Sequence, residues 1–449
     1  MPPAIGALIA TIGSFIISHI AVSVLVKALL TIALSLAVTL LSKKPQGNKL
    51  NQGQELRTKF DPTMPRQVLV GRTATGGSCH FAYTTSDNYK KPNRYLYRVI
   101  QLSDRPISAL VEVREGAQTL SWSGDLTTGW RSCTQHRDKH GNAKFWMRVY
   151  LGADSATADA TLVSETGGLW TTDHKGTGIA YAIIKMDYDE DAFSNGEPEL
   201  TWVVDGAKCY DDRKDSTKVG GSGAHRLATY STWEFTNNSA IITAQYLRGF
   251  YTNGSIIVGV QAEERDLSTS MLFSAYNTCD QSVTIDAGTE ARYESGMIIN
   301  ADEAAADILI DLQASMDGKI FDRGGAITLL PGANRTPVLA LTDEDIIWTA
   351  EKSWQPRASL EQMLNHVTSN FIDRDQNFQE RNLPILSNPT WEADDGGERF
   401  TQFFSFRAVN KWTQGQRITK RLHLASRYNG TAAFVGGLWL LELEQGDWI

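Results

Sequence analysis

The sequence predicts a mainly β, multidomain protein with α+β parts, behind an N-terminal apolar helical segment. Three features predict it. Thirty-seven glycines, several in Asn-Gly or Asp-Gly steps, supply the positive-φ turns that closely spaced strands require. Stretches such as 95–102 and 107–114 alternate apolar and polar side chains, the period of a half-buried strand. Three later stretches, 302–316, 360–371 and 413–427, read as helices.

Size and charge narrow the classes. A length of 449 residues suits roughly two to four domains. A net charge of −8 argues against a nucleic-acid surface as the main function, so no nucleic-acid specificity is expected. Cys79, Cys133, Cys209 and Cys279 form no Cys-x-x-Cys pair, which disfavours a zinc ribbon or a thioredoxin-like centre. Free buried thiols are the expected state, with a disulfide between distant strands left open.

The leader, 5–41, carries Lys27 as its one full charge and is longer than the roughly 20 residues of a membrane-spanning helix. Gly6, Gly13 and Ser14 interrupt it, and Lys43-Lys44-Pro45 ends it. No positive region precedes the apolar run, which disfavours a signal peptide. Hydropathy alone favours a membrane segment. The recurring small residues also suit a helical plug packed within an assembly. A polar linker follows, rich in Gln, Asn and Lys.

The body opens with a short strand at 67–71, and Gly76-Gly77 turns the chain into 79–84. Cys133, His136 and His140 stand at Cys-x2-His-x3-His spacing, but a fourth ligand at suitable spacing is missing. Arg137, Asp138, Lys139, Gly141 and Asn142 around them read as an exposed turn, and no metal is expected. After a strand at 145–151, a glycine turn at 175–178 leads into 179–188. Asn195-Gly196 then turns to 200–204, and Asp205-Gly206 to 208–210, together a β-meander. Asp187, Asp189 and Asp191 mimic the start of a calcium loop, but Ala192 and Pro198 take the places an EF-hand gives to Gly and Glu. A solvated acidic turn is the reading. Gly220-Gly221-Ser222-Gly223 lacks the Lys-Ser/Thr of a phosphate loop and reads as a flexible connection.

Residues 233–247 begin helical or mixed. The 302–316 helix is expected to be capped by Asn300 or Asp302, with Ile308, Leu309, Ile310 and Leu312 as its apolar face and Gly318 just past its end. Residues 319–330 read as a hairpin around Gly324-Gly325. Leu360, Met363, Leu364, Val367 and Phe371 fall at helical spacing, and residues 394–398 form a turn. No catalytic pair is placed, and His80 and His174 near strand ends read as structural. No catalytic, cofactor-binding or metal residue is expected, and no enzyme activity.

Several of these stretches, taken in order, resemble the central tail hub, or tail-tip attachment, proteins of long-tailed bacteriophages. They are Arg66-Gln-Val-x-x-Gly71; Trp170 with Asp173-His174-x-Gly176-x-Gly178-Ile179-Ala180-Tyr181; the acidic turn Tyr188-Asp189-x-Asp191; and Val204-x-Gly206-x-x-x-Tyr210-Asp211-x-Arg213. The helix-then-hairpin run through Met316-Asp317-Gly318 and the series Asn365, Val367, Asp373 and Phe378 extend the likeness. The resemblance implies small β-barrel-like and α+β domains in a homotrimeric ring. That ring closes the tail tube, contacts a distal tail protein ring, the tape-measure protein and other tail-tip or fibre proteins, and takes part in host attachment and genome delivery. The chain would be assembled in the host cytoplasm and sit at the distal end of the virion tail. It divides into 1–44 (leader or plug, with host membrane contact through it left open), 45–60 (linker), 61–220 (β-rich), and 221–340 and 341–449 (α+β, the last leading into a further β-barrel). The alternatives are a membrane-anchored protein and a tail-associated cell-wall hydrolase.

Overall fold

The computed structural model describes residues 56–60, 64–85, 93–356, 363–428 and 430–449. The leader at 5–41 and most of the linker lie outside the described residues.

Two open antiparallel sheets stack on one another. The larger runs, in spatial order, Ser78–Thr85, Tyr95–Ser103, Ala180–Asp187, Phe145–Tyr150, Arg131–Ser132. The smaller runs Arg72–Thr75, Leu200–Asp205, Ala109–Glu115, Gln118–Thr119. Phe145, Met147 and Ile184 of the first meet Val113, Trp202 and Val204 of the second in one core. The other face of the large sheet is aromatic, with Tyr97 and Tyr181 buried beneath Phe81, Trp130 and Trp170. A short helix, α1 (Ala160–Glu165), closes it with Leu162. Its Ser/Thr/Ala-rich surroundings give no helical period; Asp159 makes the helix by accepting from the backbone N–H groups of Thr161 and Leu162.

The meander expected over 179–210 does not form. Ala180–Asp187 and Leu200–Asp205 belong to different sheets. Between them Phe193 is buried and stacks on His136 at 5.1 Å, so the connection crosses the core instead of returning as a hairpin. Among the described residues, 208–210 contribute a single bridge, from Cys209 to Glu234.

Strand Gln67–Val70 ties this sandwich to a second, larger core. All four residues are buried; Leu69 faces the sandwich, while Val68 and Val70 face the other way. It pairs antiparallel with Met297–Asn300 and ends at Gly71, whose φ is +58°. A Cβ there would lie 1.9 Å from the Ser295 carbonyl oxygen, so only glycine fits. The second core gathers three helices, α2 (Ser239–Arg248), α3 (Thr269–Asp280) and α4 (Ala305–Ser315). Asn238 caps α2 and also donates its amide to the Tyr276 carbonyl of α3 at 2.9 Å. Helix α4 lies where expected, but Ala304 takes its cap position, and Asn300 bonds Glu303 instead. The hairpin Lys319–Arg323 with Ala326–Leu330 closes as expected. Asp317, not Gly318, holds the left-handed conformation before it.

The helix expected at 360–371 is corrected. Residues 357–362 are outside the described set, and His366–Asp373 is a strand. It is flanked by Gln379–Asn382, Leu386–Ser387 and, in parallel, Thr401–Phe406. Val367 and Phe371 are buried at a spacing that fits a helix, but Ser369, Asn370 and Ile372 are buried too. A strand covered on both faces loses the period of two that would identify it. Two helices pack nearby, α5 (Pro389–Asp394) and α6 (Trp412–Arg427), and α6 buries Gln414, Ile418, Thr419 and His423 along one stripe. Val203 and Ala74 on the small sheet's outer face pack on Ile372 and Phe378, joining the two halves. The fold is mainly β with a few helices, in several small sheets; among the described residues none closes into a barrel.

Candidate functional site

Two polar places stand out: a buried ion network and an open cationic cleft. The network starts at Tyr210-Asp211-Asp212-Arg213, which leaves the small sheet and enters the space between α2 and α3. Asp212 is fully buried and accepts from Arg248 Nη2 at 2.7 Å and from the Tyr276 hydroxyl at 2.8 Å. Arg248 also donates through Nε to Glu264 at 2.7 Å, and its guanidinium lies 5.1 Å from the Tyr210 ring. Burial disfavours the Arg248 charge, but Tyr276, Asp212 and Glu264 outweigh it and hold its pKa above the ordinary arginine value. Burial would raise Asp215 too, yet hydrogen bonds from Tyr210 (2.6 Å) and Thr217 hold it down at about 2. Arg213 spans Asp211 and Asp280 at 2.8 and 2.9 Å.

The glycine run beyond it is not the flexible connection expected. Ser222 N–H donates to the Arg213 carbonyl at 2.8 Å, and a Cβ on Gly221 would sit 2.2 Å from the Asp215 carbonyl oxygen. Every acid of the network is engaged by donors. Chemically this is a clamp that fixes 210–226 to α2 and α3, with the acids committed to structure.

The cleft, about 700 Å³, opens where α6, the 319–330 hairpin and the 446–448 segment meet. Arg292, Lys319, Arg335, Arg417 and Arg421 line it against Asp317 and Asp447. Arg421 pairs with Asp317, Arg417 with Glu290, and Asp447 with Arg323 outside the cleft. Among the described residues no carboxylate lies within ion-pair distance of Arg292, Lys319 or Arg335, and the Arg292 Nε is buried without a hydrogen-bond partner. Tyr293 forms one wall, its hydroxyl donating to the Gly332 carbonyl at 2.5 Å. None of these cations stood out in the sequence. They are scattered singly over α6, strand ends and loops, and only the tertiary fold brings them together.

Residues flagged by sequence pattern have other work. His136 is buried, not on an exposed turn: Nδ1 lies 2.9 Å from the Ala192 carbonyl oxygen, and Nε2 2.9 Å from Glu115. Cys133 Sγ donates to Gln135 at 3.3 Å, and His140 sits on an exposed turn, so the trio does not converge on its ring nitrogens. Asp187 is likewise no solvated turn residue. It takes Arg94 Nη2 and Lys144 Nζ, each at 3.0 Å; burial raises its pKa, and these bonds more than reverse that. Asp189 accepts from the N–H groups of Asp191 and Ala192 and shapes the turn. His174 stacks on Trp170 at 4.8 Å, and His80 is exposed.

Residues 304–449 match the family described as "Putative phage tail protein". That match covers the C-terminal part of the chain, and the solved structures bear on the fold. Its fold is similar to that of a chain in the virion of the native gene transfer agent (GTA) particle, with a TM-score of 0.52 and 15% identity, over 94% of this chain and 88% of that one. The 43 kDa tail protein of prophage MuSo2 from Shewanella oneidensis aligns over 84% of this chain and 78% of its own, at 8% identity and a TM-score of 0.23, too distant to carry an argument. No curated protein matches the chain.

Proposed function

We propose that the chain is a hub subunit of the tail tip. Three copies form a ring that closes the distal end of the tail tube, meets a distal tail protein ring above and the end of the tape-measure protein within, and carries other tail-tip or fibre proteins below. Through these contacts it takes part in host attachment and genome delivery, without enzymatic chemistry of its own. The observation that carries this reading is the tail-protein match across 304–449. The ordered hub-like motifs between Arg66 and Phe378 extend it to the rest of the body. In the ring, residues 5–41 of each copy gather at the axis as an apolar plug, where their small side chains permit close helix packing.

Electron cryomicroscopy of purified particles tests this. Three copies at the distal end of the tail, with 5–41 at the axis, are the expected result. A different copy number, or a position along the tube instead of its end, overturns the hub assignment.

A further inference from the structure

We propose that the cationic cleft is the socket for the acidic turn at 188–191 of a second copy of this chain. The inference rests on the ring reading above and names the contact that builds the ring. A closed three-fold ring needs a heterologous interface, one patch meeting a different, complementary patch on the next copy. The chain carries such a pair of patches. On one side, Arg292, Lys319 and Arg335 point charge at the cleft with no carboxylate partner among the described residues, although the chain as a whole is acidic.

On the other side, Tyr188 is 71% exposed, and Glu190 and Asp191 are exposed with no cation paired to them among the described residues. The turn that bears them is held rigid: Asp189 accepts from two backbone N–H groups, and Asp187 is anchored by Arg94 and Lys144. A rigid tip loses little entropy on docking. Among the described residues the two patches do not meet within one copy, since those lining the cleft fall between Arg292 and Trp448. The cleft has room for the tip of a turn, and its Arg and Trp448 side chains suit an aromatic ring flanked by carboxylates. Burial and the nearby Arg323 lower the pKa of Arg335 and outweigh the opposing pull of Asp447, so a further carboxylate arriving beside it is favoured.

The test uses the full chain and its self-association, measured by mass photometry over a concentration series at low and high salt. One variant carries Lys319→Glu with Arg335→Glu, a second Glu190→Lys with Asp191→Lys, and a third all four; circular dichroism melts verify that each folds. Each charge-reversed pair is expected to weaken trimer formation on the order of tenfold or more, high salt to weaken the unaltered trimer, and the fourfold variant to recover association. Trimers that form equally well in the first two variants overturn the contact and leave the ring standing. If the unaltered chain stays monomeric, the ring reading fails, and a synthetic peptide of residues 185–194 decides the contact. Binding to the unaltered chain that is lost in the Lys319→Glu, Arg335→Glu variant upholds it, and no binding overturns it.

Discussion

Arg248 reaches Asp212 through Nη2 at 2.7 Å with both side chains sealed from solvent, at 6% and 0% exposure. A buried pair of this kind is costly to break from one side, because the remaining charge keeps its desolvation penalty and loses its partner. Among the described residues Arg248→Met leaves Asp212 with the Tyr276 hydroxyl alone, and a loss of about 3–5 kcal/mol is expected. Adding Asp212→Asn removes the stranded charge and should recover a substantial part. Urea unfolding of the two single variants and the double variant measures this. Strict additivity of the single losses would mean that the pair is not coupled.

The cysteines give a chemical readout of burial. All four are free, with Cys133, Cys209 and Cys279 buried and Cys79 half-buried. Burial pushes the Cys209 and Cys279 thiols up to about 12, and it also raises Cys79, against the pull of Arg98. Thiolate is the reacting species, so at pH 8 a thiol reagent should label native protein slowly and at Cys79 first. The other three should react only after denaturation. Peptide mass spectrometry of timed samples checks the order; early labelling of Cys209 or Cys279 would show that the second core opens readily.

Elements whose local pattern and tertiary burial agree were legible in the sequence. The strand at Tyr95–Ser103, helix α4, the 319–330 hairpin and helix α6 are of this kind. Legibility failed where burial on both faces erased the period, as at His366–Asp373. It failed again where a short helix rests on one cap, as Asp159 does for α1. The turn at Asn195-Gly196 is real, with Gly196 at φ +88°, but turn chemistry cannot say which sheet the next strand will join. The motif 210–213 was visible as a resemblance, yet its partners Arg248, Glu264 and Tyr276 lie on elements that no local spacing connects to it.

Trp202 tests the crossing that replaces the expected meander. Its indole is fully buried between the two stacked sheets, and its Nε1 has no hydrogen-bond partner among the described residues. Trp202→Ala should cost about 3–5 kcal/mol through lost contacts and a cavity. Trp202→Phe keeps an aromatic ring and removes the unpaired N–H, so its cost should stay below about 2 kcal/mol. Thermal denaturation of both variants makes the comparison. Equal losses would point to an Nε1 partner that Phe cannot replace.

Asp311 on α4 makes a pH-dependent contribution to the stability of the second core. Burial raises its pKa to about 6, with Glu303 and Asp307 adding to the rise and Arg407, 3.5 Å away, opposing it. Arg407 is itself committed to Glu303, at 2.7 Å to Oε1, so it cannot fully compensate Asp311. The folded chain therefore holds a proton on Asp311 that the unfolded chain releases near pH 4. Between about pH 4 and 6 the folded state binds more protons than the unfolded one, so this group's contribution to stability falls as pH rises and is lost above about 6. Asp311→Asn keeps the shape and removes the charge. It should leave stability unchanged at pH 4 and raise it at pH 7.5 by up to about 2 kcal/mol, the 23% exposure of the side chain limiting the gain. Melting curves of both proteins at the two pH values decide. A gain at pH 4 equal to that at pH 7.5 would assign the effect to packing, and a loss at pH 7.5 would mean that the Arg407 pair outweighs burial.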